Sequence, residues 1–158
     1  MQQCVAIIGP KNVPLYLHTS DRVSSSATKW HFLAHSALDM VEECVKQHTN
    51  PYLGLLLTIE DSAIYGYQTN TNTKFLLMFE ESTDPFPDED IKTLCKAIHA
   101  VYQSYVSNPF VGVNPGDLPT KNPDAIVLQP CTSPSADPLN TQITSPRVHQ
   151  RIMTILGW

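Results

Sequence analysis

The strongest pattern in the chain lies between Tyr52 and Phe79. Three apolar or β-branched runs, Leu53–Ile59, Ala63–Thr69 and Lys74–Phe79, are separated there by short polar stretches. Glu60-Asp61-Ser62 and Asn70-Thr71-Asn72-Thr73 are rich in residues that favour turns, so the stretch predicts a β-meander. The last run, Phe75-Leu76-Leu77-Met78-Phe79, does not alternate apolar with polar. A strand of that composition is dry on both faces and requires cover above and below. The expected architecture is therefore three layers: helix, sheet, helices.

Upstream, residues 4–9 form a nearly continuous apolar run, and Pro14–His18 follows the turn residues Gly9-Pro10-Lys11-Asn12. The two runs read as a hairpin whose second strand lies at an edge, because Pro14 has no N–H to donate to a ladder. Trp30, Leu33, Ala34, Ala37, Leu38, Val41, Cys44 and Val45 recur at three- and four-residue steps. That spacing predicts a helix from about Ala27 to Gln47 with one stripe against the sheet and Ser24-Ser25-Ser26 as caps. After an acidic, proline-bearing stretch at 80–87, Asp88 starts a second helix to Val106, with Ile91, Leu94, Cys95, Ile98, Val101, Tyr102 and Tyr105 on one face. Ser145-Pro146 starts a third, which carries Val148, Ile152, Ile155 and Leu156 to a stop at Gly157. Between them, the proline-rich segment 111–144 predicts a flexible insertion whose one candidate for order is Ala125-Ile126-Val127-Leu128. The expected order is ββαβββα, a long loop, then α, in a single domain over 1–158.

Composition acts mainly by exclusion. A chain of 158 residues buries roughly two thirds of the surface its unfolded form exposes, so its stability requires neither metal nor disulfide. A net charge of −5 without a basic cluster argues against nucleic acid or an anionic membrane as a direct partner. Cys4, Cys44, Cys95 and Cys131 form no CxxC pair, and three of them sit in apolar runs, which favours a reducing compartment. The N-terminal apolar run ends at Gly9-Pro10 without a basic flank, and no stretch approaches the roughly 20 apolar residues of a membrane span. The expected location is cytoplasmic, or peripheral on a membrane through another protein.

The chemistry-bearing residues do not assemble into an active site. His31 and His35 stand four apart on the first helix, a spacing that suits a metal, but no third ligand accompanies them. Cys4, Cys44 and Cys95 are expected to face inward, and Cys131 has no histidine near it in sequence. The acidic pairs Glu42-Glu43, Glu60-Asp61 and Glu80-Glu81 read as solvated charge, and no phosphate-binding glycine motif is present. Neither catalysis nor a cofactor is implied. Asn108-Pro109-Phe110 equals a tripeptide recognised by EH domains, against the ordinary reading of a helix end followed by a proline turn. Asp39 is a lone charge among the apolar positions of the first helix; a solvated helix-surface aspartate is the ordinary reading and a partner contact the sharper one.

Taken together, these residues resemble the sedlin family of TRAPP (trafficking protein particle) complex subunits. The resemblance is carried by Cys4-Val5-Ala6-Ile7-Ile8 with Pro14-Leu15-Tyr16, Lys29-Trp30-His31 with His35-Ser36-Ala37-Leu38-Asp39, and Tyr52-Leu53-Gly54-Leu55-Leu56. Tyr65-Gly66-Tyr67-Gln68-Thr69-Asn70, Lys74-Phe75 and Asn108-Pro109-Phe110 complete it, and Ser145–Leu156 is similar to the family's closing helix. The resemblance implies an α+β, longin-like (SNARE-like) three-layer sandwich: a five-stranded antiparallel sheet with one helix on one face and two on the other. It also implies a non-catalytic subunit that binds other TRAPP subunits, acts indirectly on Rab GTPases and works at endoplasmic-reticulum and Golgi membranes. The family's strand order, second-first-fifth-fourth-third, would make Leu53, Leu55 and Leu57 part of an apolar edge strand that requires a shield. The alternatives are a longin-type regulatory domain of another trafficking protein, for which no heptad repeat or anchor follows residue 110, and a small-molecule-binding α/β domain, for which no convergent polar cluster is visible.

Overall fold

The computed structural model describes residues 3–20, 24–47, 49–59, 62–80, 87–108 and 142–157. Five strands, β1 (Gln3–Ile8), β2 (Pro14–Thr19), β3 (Tyr52–Ile59), β4 (Ser62–Gln68) and β5 (Lys74–Glu80), form one antiparallel sheet in the order β2-β1-β5-β4-β3. Three helices accompany it: α1 (Ser24–Gln47), α2 (Asp88–Val106) and α3 (Pro146–Leu156). The strand order is the one the family resemblance implies. The turn at Glu60-Asp61, most of the acidic stretch 80–87, and residues 109–141, which include Pro109-Phe110, Ala125–Leu128 and Cys131, all lie outside the described residues.

β5 sits at the centre, and its unbroken apolar run explains why. Phe75, Leu77 and Phe79 point into one core with Ile91, Cys95, Ile98 and Tyr102 of α2 and Val148 and Ile152 of α3. Leu76 and Met78 point into the other, with Trp30, Leu33, Ala37 and Val41 of α1. Alternate side chains of one strand thus hold two hydrophobic layers apart and join them. The fold is longin-like, one helix against two.

Two hairpin loops use the same device. In each, an asparagine near the end of the loop, Asn12 or Asn72, adopts φ 59°, a left-handed conformation that asparagine tolerates better than most residues. Gly9 N–H bonds to Val13 O at 2.8 Å, and Thr69 N–H to Thr73 O at 2.9 Å, which closes them. Asn12 does more than turn the chain. Lys74 Nζ donates to Asn12 Oδ1, and Asn12 Nδ2 donates to Glu42 Oε1 at 3.1 Å, tying β5, the β1–β2 turn and α1 together.

Helix boundaries show where local sequence decides. α2 begins at Asp88, with Asp88, Glu89 and Asp90 at its positive end, and α3 stops at Gly157, whose φ of 73° suits a residue without Cβ. α1 starts at Ser24, three residues before the expected Ala27, so the three serines form its first turn instead of capping it. Val45, expected on the buried stripe of α1, is 37% exposed, and Cys44 beside it is half-buried. The last turn of α1 runs past the cover that the sheet provides.

Candidate docking surface

The stripe that α1 buries leaves its opposite pole bare. Phe32 and Asp39 are seven residues apart, two turns, and share that outer face. Phe32 is 68% exposed, the most open large hydrophobic side chain among the described residues. Asp39 is exposed, and among the described residues no partner neutralises it. His31 and His35 lie exposed on the flank that borders β2, beside a small apolar cleft lined by Ile8, Leu17 and Leu38. Among the described residues no group of three or more histidine, cysteine or acidic side chains is placed to hold a metal.

The β3 edge differs from a regular strand. Leu53, Leu55 and Leu57 are alternate residues and would share a face, but the register against β4 shifts twice, between Tyr52 and Gly54 and between Leu55 and Leu57. Leu53 and Leu57 consequently lean on the core beneath α1 and are half-buried. Leu55 pairs with Tyr65, a residue of the other core, and stands 52% exposed on the opposite face. The shield that the apolar edge calls for is in part these bulges, which break the regular row of backbone donors and acceptors. Gly54 makes one of them possible with φ 76°. Gly66, its cross-strand partner, lets Leu56 lie flat over β4, because a Cβ at Gly66 would meet Leu56 Cδ1 at 2.6 Å.

The opposite edge of the sheet is covered by the chain itself. Ile143 is buried, and its N–H donates to Leu15 O on β2 at 2.7 Å. Tyr16 Oη and His149 Nδ1 are hydrogen-bonded at 2.8 Å, and the His18 and His149 rings meet edge to face at 4.5 Å, which locks α3 against β2. Sequence reading missed this cluster, since the partners are 133 positions apart. Burial, then the proximity of His149, pushes the His18 imidazole below its ordinary pKa. Burial, with Cys4 nearby, raises Tyr16 to about 12. The Cys4 and Cys95 thiols are pushed up by burial, Cys95 to about 12, which keeps both protonated and unreactive. None of these shifted groups is paired with a nucleophile across a cleft.

Asn108 is exposed at the far end of α2, on the side of the sheet away from α1. The fold therefore brings Asp39 together with Phe32 but not with Asn108, and it separates Leu55 from Leu53 and Leu57. A polar notch of about 320 Å³ between the end of α1 and the β4–β5 turn is lined mainly by side-chain amides and hydroxyls with Lys46. It offers hydrogen bonds without an acid-base pair.

The Sedlin family model matches residues 7–120. The trafficking protein particle complex subunit 2-like protein of Mus musculus is 34% identical over 124 residues, covering 74% of this chain and 86% of its own. The chain belongs to the sedlin family. The Xenopus tropicalis protein of the same description is 35% identical over 124 residues, with the same coverage. That of Dictyostelium discoideum is 35% identical over 117 residues, 70% of this chain and 83% of its own. In this sedlin-family chain the matched stretch begins in the last two residues of β1 and runs past α2 to residue 120, and α3 follows outside the family model. No helix among the described residues is long and apolar enough to cross a membrane.

Proposed function

We propose that this chain is a non-catalytic subunit of a trafficking protein particle complex, a protein-interaction module that docks on other subunits. The observation that carries the reading is the similarity to subunit 2-like proteins over most of their length. The exposed face of α1 around Phe32 and Asp39, with half-buried Leu53 and Leu57 at the adjoining β3 edge, supplies the surface; Leu55, on the opposite face of that edge, and the tripeptide Asn108-Pro109-Phe110 supply separate contacts. An exposed aromatic two turns from an uncompensated carboxylate on one helix face suits an interface better than a solvated helix face. The whole chain acts as one domain, and residues 142–144, expected to belong to the flexible insertion 111–144, are instead tied to β2 through buried Ile143. It is cytoplasmic, reaches endoplasmic-reticulum and Golgi membranes through the assembly, and influences Rab GTPases only through it. Affinity purification of the tagged full chain should recover other subunits of a trafficking protein particle complex in an assembly that exchanges Rab nucleotide, while the purified chain alone does not. Nucleotide release accelerated by the chain alone would overturn the reading.

A further inference from the structure

Charge is distributed unevenly between the two sides of the sheet. α1 carries Asp39, Glu42 and Glu43 against Lys29 and Lys46. On the other side, beyond the first turn of α2, residues 91–108 and 142–157 hold Lys92, Lys96, Arg147 and Arg151 and not one aspartate or glutamate; Lys92 pairs with Glu89 of that first turn at 3.6 Å, which leaves Lys96 and the two arginines without an ion-pair partner among the described residues. In a chain of net charge −5 that is a local reversal of sign. No run in the sequence announces it, because α2 and α3 are about forty positions apart and only the fold makes them neighbours.

Arg147 and Arg151 stand one turn apart on α3, about 6 Å between their Cβ atoms, and line a notch of about 210 Å³ between α3 and the end of α2 together with Ser104 and Tyr105. Through Val101 and Arg151 the notch continues into a shallow apolar depression that ends at Ile155. Both arginines are exposed, and neither has an ion-pair partner among the described residues. A groove with an apolar floor and two unengaged guanidinium forks has the composition that receives carboxylates flanked by aliphatic side chains.

We propose that the groove between α2 and α3 is a docking site for an acidic segment of a partner protein, one that sets carboxylates on Arg147 and Arg151 and an aliphatic side chain on Val101 and Ile155. This goes beyond the subunit role proposed above: the groove lies on the other side of the sheet from α1, and Asn108, placed above in a contact with other subunits, stands at its rim. A membrane is disfavoured as the occupant. A flat bilayer does not enter a concave groove, and anionic lipid recognition draws on about four to eight clustered basic residues, whereas here there are two arginines in the groove.

The test is amide NMR of the isotope-labelled full chain, titrated with a short peptide alternating aspartate and leucine. Its controls are the same peptide with asparagine for aspartate, and vesicles of phosphatidylcholine with phosphatidylserine. Expected are saturable shifts at Val101, Ser104, Arg147 and Arg151 that weaken as salt is raised. Arg147→Glu with Arg151→Glu should weaken binding roughly tenfold or more, and Arg147→Lys with Arg151→Lys should retain most of it. The proposal is overturned by the absence of saturable shifts, by equal binding of the asparagine peptide, or by binding that survives the double reversal. It is equally overturned if vesicles alone shift these amides, or if they shift with protein concentration without peptide, which would make a second copy the occupant.

Discussion

Replacing Gly66 with alanine tests how β3 is held. The new Cβ would lie 2.6 Å from Leu56 Cδ1 and 3.0 Å from Leu56 Cγ, against an optimum of about 3.5–4.0 Å for carbon pairs. Cδ2 would lie at 3.3 Å as well, so three atoms of one side chain are too close and rotating a terminal methyl is not enough. Leu56, buried against the α1 core, has to leave its site or push β3 outward. Overpacking of this kind costs about 1–3 kcal/mol, and the reduced freedom of the unfolded chain returns about 0.4–1 kcal/mol. The expected net loss is about 1–2 kcal/mol, a melting temperature lower by about 2–8 °C for a domain of this size. The assay is a double-mutant cycle by denaturant unfolding. Leu56→Ala alone should cost more, about 2–5 kcal/mol, but in that background Gly66→Ala should be neutral or slightly stabilising. Equal costs for Gly66→Ala in both backgrounds would refute the claim that Leu56 is what forbids a side chain at position 66.

Other consequences follow from the same geometry. The His18 imidazole has a folded-state pKa below its ordinary 6.5 because burial and His149 disfavour its charge. The unfolded chain therefore takes up the proton first as pH falls, and the stability present above 6.5 declines from there down to the lowered folded value. Unfolding free energy should fall as pH drops through and below about 6.5, and His18→Gln should flatten that slope; an unchanged slope would contradict the assignment. Native alkylation followed by mass mapping should label half-buried Cys44 well before Cys4 and Cys95, whose buried thiols stay protonated. Phe32→Ala with Asp39→Lys should reduce recovery of other complex subunits while shifting chain stability by no more than about 0.5 kcal/mol, since both side chains are solvated. A large stability loss would instead assign those residues to the fold.

Most of the architecture was legible because its signals are local. The unalternating run Phe75–Phe79 foretold a strand covered on both faces, and the three- and four-residue steps of Trp30–Val41 and Ile91–Tyr102 foretold which helix faces are buried. The family resemblance supplied the strand order. What stayed hidden depends on neighbours far apart in the chain. Alternation in Leu53–Leu57 suggests one shared face, yet two register shifts against β4 turn Leu55 away from its fellows. Val45 fits the apolar stripe of α1 by spacing alone, but the sheet ends before it. Nothing local marks Ile143 as a backbone partner of Leu15, or His149 as a partner of Tyr16. The candidate surface was legible in part: Asp39 stood out as a charge among apolar positions, whereas Phe32 became conspicuous only once the buried stripe was known.

The central claim is that the outer face of α1 meets other subunits of a trafficking protein particle complex. Site-specific photo-crosslinking tests it most directly, with a photoreactive residue at Phe32 of the tagged full chain in cells and a control at exposed Thr93 on α2. Position 32 should give adducts that mass spectrometry assigns to other subunits of the complex, and position 93 far fewer. Equal adducts from both positions, or none from position 32, would contradict it.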